Sequence, residues 1–483
     1  MKKFIIFCLT FLALIITANA AEGDYIIQYR DDIDLVLPYS DSSDQIDLGL
    51  GMKLVSAEEA LALQEAGYLA ICEPDVEMTY YDYPAPNDPY YKGQWNLPII
   101  KATYPWSKNY FGNDVLVGII DSGLAPNHPD IDYTRVIDGY NFGAMQSDSD
   151  YETNRWDTTD TRGHGTFCTG IIAAKHNNGI GISGISDKIK ILPLKVASKS
   201  GSFYISSVIN AINAGVAAGC DVLNISLGSG SYYENLETAV TNAYNNGVIV
   251  ICAAGNDTSS DPGDHVRYPA GCTGAISVGS TTTYYTRAES SVTNESIFIS
   301  APADSVYSLN IPSGYKYGGG TSFAAPQIAA AAAIAKQIYP DITPAQFKDA
   351  LQYSAQDLNP TVEGRDQEFG YGLLNLADMT RYVEALKNKT VYISSFDQRP
   401  KNIRIRNLSS SDFVATSIFT ARNNNAMCYI DGVPLTLSPN QAYTHTLSVT
   451  GDHTNIAHFL WSSIKSATPL ANYPTQRLTK VTN

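Results

Sequence analysis

Gly318-Gly319-Gly320-Thr321-Ser322-Phe323-Ala324-Ala325-Pro326 runs directly into QIAAAAAIA, residues 327–335. Three glycines let a backbone approach a neighbour closely or take positive φ. The alanine-rich run, continued to residue 338, carries almost no polar group and reads as a helix buried on all sides. A serine at the start of such a helix lies among free N–H groups at the positive dipole end, where negative charge is stabilised. That suits a nucleophile. Thr321 or Ser322 would serve equally as a plain N-cap, so this stretch alone does not separate the two readings.

Outward from it, the chain alternates. Apolar runs at 115–120, 189–196, 221–226, 248–252 and 275–278 read as buried strands, with helical patterns at 165–174, 205–218 and 235–246 between several of them. Strands alternating with helices predict an α/β body, a parallel sheet with helices on both faces. In such sheets chemistry gathers at the carboxyl ends of the strands. Asp121 stands at one such end, Asn256 follows another, and His164 lies in Arg162-Gly163-His164-Gly165-Thr166 before a helix. Each has a plainer reading as a turn or helix-start residue. Residues 140–160, with Asp148, Asp150, Glu152, Asp157 and Asp160, read as a polar surface loop, and a helix over 376–386 closes the body.

The ends differ from the middle. Met1-Lys2-Lys3, an apolar run over 4–17 and Ala18-Asn19-Ala20 have the three parts of a secretory signal peptide, so 1–20 reads as one. The run is short for a membrane span. Residues 21–86 hold 15 acids and 2 bases. They read as a small α+β unit: strands at 25–29, 68–72 and 76–81, a helix over 60–66 and a stiff, exposed linker, Tyr83-Pro84-Ala85-Pro86. Residues 384–483 turn β-rich, with turn signals such as Asp431-Gly432, and read as an all-β domain. The whole chain carries a net charge of −16 with no basic patch, which argues against a nucleic-acid partner. Past residue 86 the cysteines are 168, 220, 252, 272 and 428, an odd number, so at least one is unpaired within the chain.

Asp121, His164 and Ser322 follow the chain order of subtilisin-type triads. With Asp121-Ser122-Gly123, His128-Pro129-Asp130, His164-Gly165-Thr166, Ser226-Leu227-Gly228, Ala253-Ala254-Gly255-Asn256 and Gly320-Thr321-Ser322-Phe323-Ala324-Ala325-Pro326, residues 87–383 resemble the subtilisin-like serine proteases. They look closest to the thermitase branch. The resemblance implies that His164 takes the Ser322 proton and returns it to the leaving amine, while Asp121 fixes the imidazole tautomer. It implies an oxyanion hole of the Asn256 side chain and the Ser322 N–H, where losing one donor typically costs ~10²–10³ in rate. Peptide substrate would add as a strand between Ser226-Leu227-Gly228 and Ser200-Gly201-Ser202. Arg267, in Val266-Arg267-Tyr268-Pro269, would stand at the floor of the pocket before the scissile bond. There its guanidinium would favour an acidic residue, swing out to solvent or pair with Asp264. Relatives hold calcium at positions matching Asp88, Asp130 and Asn178, with backbone oxygens of Lys175, Ile180 and Ile182, all hard oxygen ligands. No organic cofactor is implied. Cys168, four residues after His164, would lie under that ring.

A small acidic unit between a signal peptide and such a body reads as a pro-segment that inhibits its own protease until removed near 82–86. The expectation is therefore a secreted serine endopeptidase made as a zymogen. Two rivals are weaker. An esterase would show Gly-x-Ser-x-Gly, and Gly320-Thr321-Ser322-Phe323-Ala324 lacks the second glycine. A catalytically silent binding or adhesion protein would not need competent residues at Asp121, His164, Asn256 and Ser322.

Overall fold

The computed structural model describes residues 24–29, 46–49, 52–56, 69–74, 83–146, 154–258, 262–359, 362, 364–394, 397–398, 401–423, 426–446, 455–461, 469–472 and 476–477. They fall into two compact units, one of residues 81–413 with 436–446, the other of 1–80, 414–435 and 447–483.

The smaller unit opens with β1 (Asp24–Tyr29), β2 (Ile46–Gly49), β3 (Met52–Ser56) and β4 (Leu69–Pro74) in an antiparallel sheet of order β2-β3-β1-β4. The sequence suggested β1 and β4 but not β2 and β3. The helix expected at 60–66 and the strand at 76–81 lie outside the described residues.

The larger unit begins with a segment that is laid on the body instead of standing free. Tyr83 is half-buried against Trp106 and His176, its hydroxyl 3.1 Å from His176 Nε2, and Pro86 is buried. Of the exposed linker expected here, Pro84 and Ala85 are exposed, while Tyr83 and Pro86 are laid on the body. Short helices α1 (Asn96–Ile99) and α2 (Thr103–Ser107) follow. The core is a seven-stranded sheet: β5 (Leu116–Asp121), β6 (Tyr140–Asn141), β7 (Lys190–Lys195), β8 (Val222–Ile225), β9 (Ile249–Ala253), β10 (Ile276–Thr281) and β11 (Ile297–Pro302). Its order is β11-β10-β9-β8-β5-β7-β6, and every pair is parallel.

Side-chain alternation explains why these strands are apolar throughout. In β9, Ile249, Ile251 and Ala253 face one core while Val250 and Cys252 face the other. The first core is closed by α3 (His164–Ala173) and α6 (Thr321–Ile338), the second by α4 (Ile205–Ala217) and α5 (Glu234–Asn245). A hairpin of β12 (Val306–Asn310) and β13 (Gly314–Gly318) leads into α6, and α7 (Pro344–Ser354) and α8 (Leu376–Asn388) complete the body. Helix α7 carries a capping box, Thr343 with Gln346, and a proline at its first turn. The domain boundary expected at 383/384 falls inside α8.

Beyond α8, β14 (Val391–Ile393), β15 (Asp397–Gln398), β16 (Lys401–Asn407) and β19 (Ala442–Thr446) form an antiparallel sheet of the larger unit. A second sheet holds β17 (Phe413–Asn423), β18 (Ala426–Leu437), β20 (Asn455–Trp461), β21 (Pro469–Asn472) and β22 (Gln476–Arg477), with β20 antiparallel to β17, β21 and β22. Asp431-Gly432 lies within β18 and does not form the expected turn. No helix among the described residues is long and apolar enough to cross a membrane.

Candidate active site

Three elements end at one point. Asp121 closes β5 and is wholly buried. His164 opens α3 and Ser322 lies in the first turn of α6. The His164 Nδ1–H donates to Asp121, 2.8 Å from Oδ1 and 2.9 Å from Oδ2. Helix α3 approaches this close only because residue 165 is glycine: a Cβ there would lie 2.3 Å from the Gly123 carbonyl oxygen and 3.1 Å from the Asp121 Cβ.

Burial disfavours the charged imidazole. The Asp121 carboxylate on Nδ1, with the Cys168 sulfur behind the ring, outweighs it and holds the His164 pKa well above its usual 6.5. Cys168 lies where expected, its Sγ 4.0 Å from His164 Nδ1, and burial pushes its thiol up. Cys168, Cys220, Cys252 and Cys272 are buried and unpaired among the described residues.

Ser322 is held by an irregularity in its helix. Pro326 has no N–H to offer the Ser322 carbonyl one turn back. That carbonyl accepts instead from the Ser226 hydroxyl at 2.9 Å and the Cys168 thiol at 3.4 Å. The Ser322 hydroxyl donates to the Ser226 carbonyl at 3.1 Å. Across the helix start, the Thr321 N–H donates to Asn256 Oδ1 at 3.0 Å, which fixes the orientation of the Asn256 side-chain amide. Gly320 makes room: its φ is +119°, and a Cβ would lie 3.1 Å from Asn256 Oδ1. A preorganised amide donor beside a serine at a helix N-terminus can stabilise an oxyanion.

Sequence reasoning placed Asp160 in a surface loop, and the structure corrects this: it is 4% exposed. Its carboxylate accepts from the Ser122 hydroxyl at 2.9 Å and the N–H groups of Arg162 and Gly163 at 2.9 and 2.8 Å. It also takes the Thr166 N–H and hydroxyl at 2.9 and 2.7 Å. Ser122 Oγ accepts in turn from the Gly165 N–H at 2.9 Å. Asp160 thus ties the strand end carrying Asp121 to the helix start carrying His164. The available signal was an aspartate four residues before the histidine, in the turn that leads into the helix.

The remaining expected positions fall around this centre. Ser226, Leu227 and Gly228 continue from β8, and Ser229 pairs with Tyr268 as a single antiparallel bridge. Ser200, Gly201 and Ser202 form a tight loop after β7, closed by the Ser198 N–H on the Ser202 carbonyl at 2.9 Å. That loop lies against Arg162, since a Cβ on Gly201 would meet its guanidinium at 2.4 Å. Arg267 departs from expectation. It is 3% exposed, and its guanidinium donates to the carbonyls of His265 at 2.7 Å and Gly263 at 3.1 Å. It does not swing out to solvent.

Asp88, Asp130 and the 175–182 loop do meet. Asp88 accepts the N–H groups of Asn177 and Asn178, each at 2.9 Å, and Asp130 accepts the Asn178 amide at 3.0 Å and the Ile182 N–H at 2.9 Å.

Residues 112–372 match the model of the subtilase family. The chain belongs to the subtilase family. It is 34% identical to Subtilisin DY of Bacillus licheniformis over 58% of this chain and 96% of that one. With the Minor extracellular protease Epr of Bacillus subtilis (strain 168) it shares 36% identity, again over 58% of this chain, but it spans only 41% of that relative's length. A solved protease from Pseudoalteromonas arctica PAMC 21717 superposes with a TM-score of 0.54 at 27% identity, covering 62% of this chain and 99% of that one. The larger unit is thus that of a subtilisin-like serine endopeptidase.

Proposed function

We propose that this subtilase is a secreted endopeptidase that cuts peptide bonds through Asp121, His164 and Ser322. The observation that carries the reading is the His164 Nδ1–H held by both Asp121 oxygens beside a serine at a helix start. With Nδ1 occupied, Nε2 is the basic nitrogen left to face the nucleophile. A substrate strand laid along Ser226-Leu227-Gly228 brings its own N–H to the Ser226 carbonyl. The Ser322 hydroxyl, released from that carbonyl, then turns to the imidazole and attacks. The oxyanion that forms is met by the Asn256 amide and the Ser322 N–H. Collapse of the intermediate takes the proton from His164 to the leaving amine.

The signal peptide at 1–20 and the acidic unit after it support export as a zymogen whose own pro-segment blocks the cleft. Tyr83 and Pro86 pack on the body, which supports an activating cut at the N-terminal end of the 82–86 stretch.

Calcium fits the 88/130/175–182 cluster. Asp88 and Asp130 are both buried, 4% and 0% exposed, and the described hydrogen bonds to their carboxylates come from N–H groups and the Tyr315 hydroxyl, not from lysine or arginine. Burial, with the Asp88 charge adding to it, pushes Asp130 up to about 7. A dication would relieve two such carboxylates. Asp88, Asp130, Asn178 and the carbonyls of Lys175, Ile180 and Ile182 would hold it, and bound there it would lock the loop to the body.

The test is fluorophosphonate labelling of purified mature protein beside Ser322→Ala. Label on the wild type alone, with peptide cleavage lost in parallel, is the expected result. A folded mature protein that takes no label, with or without calcium, would overturn it.

A further inference from the structure

Ser322 lies beside the ends of two neighbouring parallel strands, and the space between those ends is where a substrate side chain would enter on the proposed reading. β8 leads to Ser226-Leu227-Gly228 and β9 leads to Gly255 and Asn256. The Ser322 hydroxyl on the Ser226 carbonyl marks one wall, and Asn256 beside Thr321 marks the other. A substrate strand lying on the first wall drops the side chain before its scissile bond into this gap.

The gap is already filled. The antiparallel bridge from Ser229 to Tyr268, with N–H···O distances of 2.9 and 2.8 Å, pins residue 267 at its far end. From there the Arg267 stem runs across this space. A Cβ on Gly255 would lie 2.4 Å from Arg267 Cγ, 3.3 Å from its Cβ and 3.4 Å from its Cδ. A Cβ on Gly228, on the opposite wall, would lie 3.8 Å from the Arg267 Cβ. Both walls are glycine where the stem passes. The head group cannot readily withdraw, because it is anchored on the His265 and Gly263 carbonyls and the residue is 3% exposed.

We infer that Arg267 is a built-in plug that makes the pocket shallow and restricts cleavage to bonds after small residues: glycine, alanine or serine. The inference rests on the proposed endopeptidase activity and names its substrate class. It replaces the acidic preference that the sequence suggested, since the methylenes occupy the space an acidic side chain would need.

The experiment is a peptide library cleaved by the mature wild-type enzyme and by Arg267→Ala and Arg267→Lys, each first titrated with fluorophosphonate. Cuts by the wild type should fall after Gly, Ala and Ser, with Phe, Tyr and Leu disfavoured by about 10- to 100-fold. Arg267→Ala should recover most of that factor for large residues, and Arg267→Lys, which keeps a long stem, should not. Wild-type cuts mainly after Phe, Tyr or Leu would overturn the plug even if Arg267→Ala failed to accumulate. So would cuts mainly after Asp or Glu, which would return the guanidinium as the reader. An enzyme that takes no label at all overturns the endopeptidase reading and the plug with it, whereas label uptake with the wrong cuts overturns the plug alone.

Discussion

The Asp160 carboxylate receives hydrogen bonds from Ser122, Arg162, Gly163 and Thr166, so removing it leaves several buried donors without partners. Stranding buried polar groups of this kind costs about 3–5 kcal/mol. Asp160→Ala, placed in the Ser322→Ala background to prevent autolysis, should lose that much in urea denaturation. In the active background it should lower kcat more than it raises KM, because it misplaces His164 and not the substrate. Unchanged stability would show that Asp160 is not the tie described. His164 sets the pH profile. Its neutral form is the base, so kcat/KM should rise with pH through a value above the usual 6.5, and Asp121→Asn should move that inflection down. The same raised pKa means that the Asp121–His164 pair stabilises the fold fully below about 6.5 and progressively less as pH climbs through the folded value. At this scale the sequence displayed the proposed triad residues Asp121, His164 and Ser322 and their neighbour Asn256, since each lies in a short motif at a strand end or helix start. Asp160 was hidden because burial leaves no mark on a residue set among Asp148, Asp150, Glu152 and Asp157. The course of the Arg267 stem was hidden because it depends on two glycine walls far apart in sequence.

Helix α6 was visible only in part. Its alanine run predicted burial, and Ala329 to Ala333 are 0% exposed. The sequence put Ser322 at its start but did not show how Pro326 is accommodated, and the structure meets the freed carbonyl with Ser226 and Cys168. The small side chains have a purpose: α6 threads the first core and touches α3, α8, β8, β9 and β10. Close-packed interiors take extra methylenes badly. Ala331→Leu should therefore cost about 1–3 kcal/mol in chemical denaturation of the Ser322→Ala protein. A loss below a few tenths would mean that the helix has slack. Helix α7 escaped notice for another reason. Its capping box and Pro344 are clear start signals, but it is amphipathic and half-polar, so its sequence carries no long apolar run.

At the scale of the whole molecule, distant pieces are held by a few polar fasteners. Asp88, in the segment leading to the body, meets Asp130 and the 175–182 loop, so the proposed calcium would clip that segment in place. EDTA should lower the Tm of the Ser322→Ala protein by several degrees, calcium should restore it, and Asp130→Asn should abolish the difference. An EDTA-insensitive Tm would remove the ion. The second fastener is Arg406 on β16, which joins the sheet of β14, β16 and β19 to α7 and α8. It is 9% exposed, lies 4.1 Å above the Tyr353 ring and 5.8 Å from Tyr382, and reaches Asp349 at 3.1 Å. Asp349 is 43% exposed, so that ion pair contributes about 0–1 kcal/mol. Most of the hold comes from the guanidinium on the tyrosine rings and from its packed stem. Arg406→Ala should thus destabilise by about 2–3 kcal/mol and speed hydrogen exchange over residues 401–407. Arg406→Lys keeps the charge but not the planar stack, and should recover less than half of the loss. Arg406→Met, which fills the site without stranding an ion, should fall between wild type and alanine. Full recovery by lysine would show that charge alone joins the sheet to the body, and an alanine variant within 0.5 kcal/mol of wild type would show that Arg406 does not join them.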